Sequence, residues 1–339
     1  MVITTDINQG NVKTDKPEVL MNQVTFKDLL NAYFKFRMLR PATVWSYRKT
    51  VASLRKFTGD NILPEQINQN LVVDWREHII YGELQSKVTW NNKVTHMRAL
   101  FNFAYDRKIL PREKNPFNGV SVRPDKKKKK TLTKEQVRQI YLQMEALESE
   151  EKDIPLSARR NALRPAWFWL TVIDALKCTG MRQNQLLHIR LCDVNFTHSW
   201  ISLRPEGSKN HKEHRVPITK GLRPRLERLY RRSLERGAGM EDRLFRVTRF
   251  VGGKKTEVSP NYDHPPLRAF FRRLSRDCGF KISPHRFRHT IATNLMRKPD
   301  RNIKIVQDLL GHSTVTVTME YIEADLKEVK NVLEELEAA

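Results

Sequence analysis

Six positions in the second half of this 339-residue chain carry side chains able to do chemistry on an anionic substrate: Arg182, Lys209, His285, Arg288, His312 and Tyr321. Tyr321 poses the sharpest question. At pH 7 only about one free tyrosine in a thousand is ionised, so a lone phenol is a weak nucleophile and reads as packing. It becomes reactive where a base takes its proton and fixed positive charge steadies what forms. Arginine supplies such charge at any working pH, in a planar fork suited to two oxygens of one anion. The histidines and Arg288 lie in HRFRHT and LLGHS, and Tyr321 follows His312 by nine positions.

The whole composition leans toward an anionic partner. Lys and Arg total 62 against 38 acidic residues, a net charge of +24 spread along the chain. A folded, strongly basic protein is suited to hold a polyanion, and the phosphate backbone of a nucleic acid is the commonest candidate. No apolar run nears the roughly 18 residues needed to span a bilayer, and no long basic amphipathic helix favours a membrane surface. Three cysteines, far apart and odd in number, form no disulfide framework. That fits a reducing cytosol and a cytoplasmic protein.

Several elements must position these residues. Residues 1–22 are polar, lack the apolar core of a signal peptide and read as a disordered lead-in. Residues 23–112 read as a helical domain of four segments. Thr25 and Asp28 stand at capping-box spacing, and Val44, Tyr47, Val51 and Leu54 share one face of the second helix. Residues 113–131, with prolines and five consecutive lysines at 126–130, read as a basic solvated linker. Thr133 and Gln136 then cap a helix that opens a second domain, 132–323. RPAWFWLTVIDALKCTGMR, apolar on nearly every side, predicts a buried central helix, and WISLRPEGSKNHKEHRVPI predicts a hairpin. Residues 237–260 read as an irregular insertion without a specific role. Residues 324–339 predict an acidic helix with Leu326, Val329, Leu333 and Leu336 on an apolar stripe, fit for a groove on its own chain or a neighbour.

The ordered set Arg182 in TGMRQNQLL, Lys209 in GSKNHKEHRVP, His285 and Arg288 in HRFRHT, His312 in LLGHS and Tyr321 closely resembles the tyrosine recombinase (phage integrase) family. The resemblance covers nearly the whole chain, and its later motifs are specific in order and interval. It implies a mainly α fold: a two-domain DNA clamp with a helical core-binding domain and a mostly helical catalytic domain holding a small antiparallel sheet. It also implies an enzyme that cuts and rejoins DNA through a 3′-phosphotyrosyl link, in the integration or recombination of a mobile element. Arg182, Arg288 and His312 would neutralise the phosphate, His285 would accept the proton of Tyr321, and Lys209 would protonate the departing 5′ oxygen. The resemblance further implies a homo-tetramer on paired sites, with residues 324–339 exchanged between protomers and accessory DNA-bending proteins as further partners.

Three points stay open at this stage. Lys212 competes with Lys209 as the proton donor. Gln185 stands where the family usually has Glu, so it can hydrogen-bond Arg182's neighbourhood but cannot pair as an ion. Arg182 could instead cap the C-terminal end of its apolar helix. No cofactor or metal is expected, because arginines can do the charge neutralisation a Mg²⁺ would otherwise do. His188, Cys192, His211 and His214 lack a convincing fourth ligand and read as exposed hairpin and helix residues. Two other classes share part of this pattern: a DNA-binding relative without cleavage, and a type IB topoisomerase-like nickase. The complete set of catalytic residue types argues against the first, and the leucine-rich terminal helix against the second.

Overall fold

The computed structural model describes residues 23–111, 114–125, 130–151, 161–208, 213–251, 264–297, 303–311 and 314–319. The chain divides into two compact units, Met1–Lys127 and Lys128–Ala339. Among the described residues the first holds the α-helices α1 (Phe26–Phe36), α2 (Pro41–Thr58), α3 (Gln69–Glu77) and α4 (Lys87–Asp106). Their starts are written in the sequence. Thr25 and Asp28 form a reciprocal capping box on α1, Pro41 opens α2, and Asn68 and Ser86 cap α3 and α4. The core runs along α4, where Trp90, Val94, Met97, Phe101 and Ala104 recur at helical spacing and are fully buried. Trp90 meets Trp75 of α3 edge to face at 5.2 Å.

The segment expected to be a solvated linker does structural work along part of its length. Phe117 is fully buried with its ring 5.2 Å from that of Phe101, and Val120 is buried beside it. Arg98 of α4 holds the Phe117 carbonyl through Nε and Nη2 at 3.1 and 2.9 Å. Trp90 Nε1 donates to the Val120 carbonyl at 2.9 Å. Phe117 and Val120 were legible as apolar residues, but lone ones in a Pro- and Lys-rich run carry no periodicity to announce burial.

The second unit is built around α6 (Ala166–Thr179), which is buried on nearly every side as its composition requires. It packs against α5 (Lys134–Glu150), α8 (Arg223–Glu235) and α10 (Pro284–Met296). Thr133 and Gln136 form the expected capping box on α5. A three-stranded antiparallel sheet lies between α7 (Gln183–His188) and α8 in the chain: β1 (Val194–Asn195), β2 (Trp200–Leu203) and β3 (His214–Pro217). β2 and β3 form the expected hairpin, with Ile201 opposite Val216 and Leu203 opposite His214. The two-residue β1 is too short for a sequence pattern to reveal. α9 (His264–Asp277) turns Leu267, Phe270, Phe271 and Leu274 inward, and Phe270 stacks on Trp169 of α6 at 4.3 Å. Within the supposed insertion, Ala238, Leu244, Phe245 and Val247 join this core. α11 (Ile303–Leu310) and α12 (Val315–Met319) follow, and Ala292, Met296, Val306 and Leu310 form a small apolar cluster joining α10 to α11. No helix among the described residues is long and apolar enough to cross a membrane. The expected helix at 324–339 lies outside the described residues.

Candidate active site

The site begins where α6 ends. Gly180 takes the left-handed conformation (φ +63°) that terminates the helix, and a Cβ there would lie 2.8 Å from Ile291 and 3.0 Å from Leu310. Only glycine accepts both constraints. The reversal delivers Arg182 to the N-terminus of α7. Its backbone N–H donates to Gln185 Oε1 at 2.8 Å, and Gln185 Nε2 donates to Ser208 Oγ at 3.1 Å. Gln185 is 2% exposed, so its amide is a buried strut with both ends bonded. The neutral residue in place of the family's usual carboxylate thus joins the Arg182 backbone to the root of the β2–β3 hairpin. The fit is close: a Cβ on Gly207 would come within 2.9 Å of the Gln185 Cα, and Asn184 Nδ2 donates to the Gly207 carbonyl at 3.1 Å.

α10 brings the second arginine. Ser283 caps the helix and Pro284 occupies its first turn. Arg288 is only 4% exposed. Its Nη1 donates to the Gly180 carbonyl at 2.8 Å and its Nη2 to the Leu310 carbonyl at 2.7 Å. These carbonyls close the C-terminal ends of α6 and α11, where the peptide dipoles gather partial negative charge, so they suit a buried cation. Arg182 Nη1 reaches the same Leu310 carbonyl at 3.5 Å. Two guanidinium groups therefore converge on one backbone oxygen. Arg288 caps the carbonyl end of α6.

Two imidazoles lie within the field of these arginines. His285 is exposed at the rim of α10, yet local desolvation, then the charges of Arg288 and Arg182, hold its pKa below the ordinary histidine value. That keeps the ring neutral and able to accept a proton near pH 7. His214 is shifted down in the same way, by burial first and then by Arg182 and Arg288. The expectation that His188 and His214 are exposed is corrected: both are half-buried, and His214 Nε2 is sealed from solvent. Strand alternation carried that signal, since His214 shares the inward parity of buried Val216. No group of three or more metal-ligating side chains occurs among the described residues. Lys209, Lys212, His211, His312 and Tyr321 lie outside the described residues, so the choice between the two lysines stays as the sequence left it. The described residues bring Arg182, Arg288 and His285 to one place.

Comparison with known proteins gives this arrangement its lineage. The sequence model of the Phage integrase family matches residues 130–328, and that of the Phage integrase SAM-like domain matches residues 24–123. The chain belongs to the phage integrase family of tyrosine recombinases. It is 34% identical over 311 residues to a putative tyrosine recombinase XerC of Pseudomonas aeruginosa, covering 91% of this chain and 71% of that protein. A second putative XerC, of Pseudomonas syringae, is also 34% identical, over 93% of this chain and 65% of its own length. In fold, this recombinase resembles the Tn1549 transposon integrase, solved in complex with a circular intermediate DNA. The TM-score is 0.64 at 16% identity, over 92% of this chain and 99% of the other.

Proposed function

We propose that this recombinase cuts and rejoins double-stranded DNA at specific sites through Tyr321, in the integration or recombination of a mobile element. The observation that carries the reading is that Arg182 and Arg288 reach one backbone oxygen, which gathers two permanent positive charges of the kind that neutralise the non-bridging oxygens of a phosphate. In the reaction, the Tyr321 oxygen bonds to phosphorus as the bond from phosphorus to the 5′ oxygen breaks. The phenolic proton passes to neutral His285, and a hairpin lysine, Lys209 ahead of Lys212, protonates the leaving oxygen. Arg182, Arg288 and His312 hold the charge that builds on the phosphoryl oxygens. The products are a 3′-phosphotyrosyl link and a free 5′-hydroxyl. The link retains the bond energy, and attack by another 5′-hydroxyl reverses the step without ATP.

The same reading assigns DNA binding to the helical domain 23–112 and catalysis to 132–323, connected by 113–131. It places a homo-tetramer on paired sites in the cytoplasm, with residues 324–339 docked on a neighbouring protomer and DNA-bending proteins as accessories. A nicked suicide duplex, selected from a randomised pool by covalent capture on the full-length protein, tests the chemistry. A covalent adduct on a denaturing gel, absent in Tyr321→Phe and unaffected by EDTA, is expected. A duplex bound specifically but never attached would refute it, and relaxation of a plasmid without joined products from two sites would indicate a topoisomerase instead.

A further inference from the structure

We propose that Arg268, Arg272 and Arg276 of α9 form a phosphate track that holds the DNA strand running out from the scissile phosphate. The proposal rests on the reading above and extends it, because it gives the catalytic unit a grip on DNA of its own. The three residues stand at i, i+4 and i+8, so their side chains share one row of the helix. All three are exposed, away from the face that buries Leu267, Phe270, Phe271 and Leu274. Among the described residues none of the three has a carboxylate or hydrogen-bond partner. Other arginines of the unit are neutralised. Arg225 meets Asp174 at 2.9 Å and Glu145 at 3.2 Å, and Arg273, on α9 itself, meets Asp277 at 2.9 Å. Like charges one helical turn apart repel, so the row weakens α9 unless an anion lies across it.

The row has a fixed place relative to the site. One turn before Arg268 it begins at His264, whose Nδ1 lies 3.0 Å from Gln183 Nε2, and Gln183 follows Arg182. Ser275, beside the row at i+3 from Arg272, bonds both the N–H and the carbonyl of Ile282, at 2.8 and 3.1 Å. Ile282 stands three positions before His285. Both ends of the row are thus tied to segments that carry catalytic residues. The three arginines span about 12 Å along the helix axis. Each strand of a duplex carries one phosphate per about 3.4 Å of axis, so a strand laid along the row offers about three or four phosphates. Guanidinium forks bind phosphate without reading the base, so the track supplies grip and register rather than sequence choice.

Equilibrium binding of the full-length protein to the captured duplex, and to an unrelated duplex of equal length, tests this. Wild type is compared with Arg268→Gln, Arg272→Gln, Arg276→Gln and the triple glutamine variant. Between about 0.05 and about 0.2 M salt, each lost contact should flatten the fall in affinity by about 3.5-fold, and the triple variant by about 40-fold, equally on both duplexes. A triple lysine variant, which keeps the charge, should restore the wild-type salt dependence. Neutral methylphosphonates, placed singly along the strand beyond the scissile phosphate, then locate the contacts. At about three of these positions they should weaken wild type at least about threefold and leave the triple glutamine variant unchanged. A wild-type salt dependence in the triple glutamine variant, a lysine variant as flat as it, or methylphosphonate losses equal in both proteins would overturn the proposal. So would a triple variant that keeps its salt dependence while the free protein sediments differently, which would give the row to an acidic segment of a second copy. Wild-type protein that captures no duplex would instead end the reading of the site itself. Capture by wild type beside an unaltered triple glutamine variant would end the phosphate track alone.

Discussion

Arg182 and Arg288 share an acceptor but are held differently. Arg288 is buried and spans two carbonyls at 2.7 and 2.8 Å, whereas Arg182 is half-buried and its contact with Leu310 is 3.5 Å long. The buried arginine belongs to the fold as much as to the site. Lysine has no fork and cannot bond both carbonyls at once. Arg288→Lys should therefore lower cleavage by roughly 10²–10³-fold and also cost about 2–3 kcal/mol of stability. Arg182→Lys should lower cleavage similarly while costing less stability than Arg288→Lys, because Arg182 is the less buried of the two. Urea denaturation beside single-turnover cleavage separates the two effects, and equal destabilisation by both variants would contradict the distinction. The residue types and their order were legible before any fold was known. That Arg288 turns into the protein while His285, on the same helix, stays at its rim was not, because the partner carbonyls come from α6 and α11.

At the scale of elements, the site depends on how closely helix ends approach. Gly180→Ala meets both an unfavourable φ and two side chains within 3.0 Å, from α10 and α11. It should destabilise the protein by about 1–3 kcal/mol and spread the carbonyls that hold Arg288. Chemical denaturation reads the first effect and cleavage the second; a variant as stable and active as wild type would show that the turn is not tight. Elements with a strong local signature were readable: the capping boxes on α1 and α5, the all-round apolar α6 and the two strands of the hairpin. The supposed insertion was not, because Leu244, Phe245 and Val247 enter the core from irregular backbone that has no period to count. Gln185 was singled out as a departure, yet its second bond, to Ser208, depends on a contact across 23 positions that spacing alone does not show.

For the whole molecule, charge and protonation set the working conditions. His96, His188, His214 and His285 are all shifted down, with burial the first cause in each. Unfolding frees them to bind protons at their ordinary pKa of about 6.5, so the unfolded chain takes up more protons than the folded one in that range. The stability tied to these groups is present above about pH 6.5 and lost as pH falls below it. The melting temperature should drop between pH 7.5 and pH 5.5, and replacing His214 by Phe should flatten the drop; a pH-independent melt would contradict the shifts. The burial of Phe117 and Val120 bears on a different matter, namely where a knife could pass. The boundary between the two units falls within the lysine run, at Lys127 and Lys128. Asn91 still brackets Val122 with both ends of its amide, and Lys87 reaches Asp125 at 3.0 Å. A proline-rich stretch looks like a natural place to part the halves, but severing the chain before Phe117 would strip a wall from the first one and leave Phe101 and Trp90 facing water. The seam lies past Asp125, in the lysines themselves.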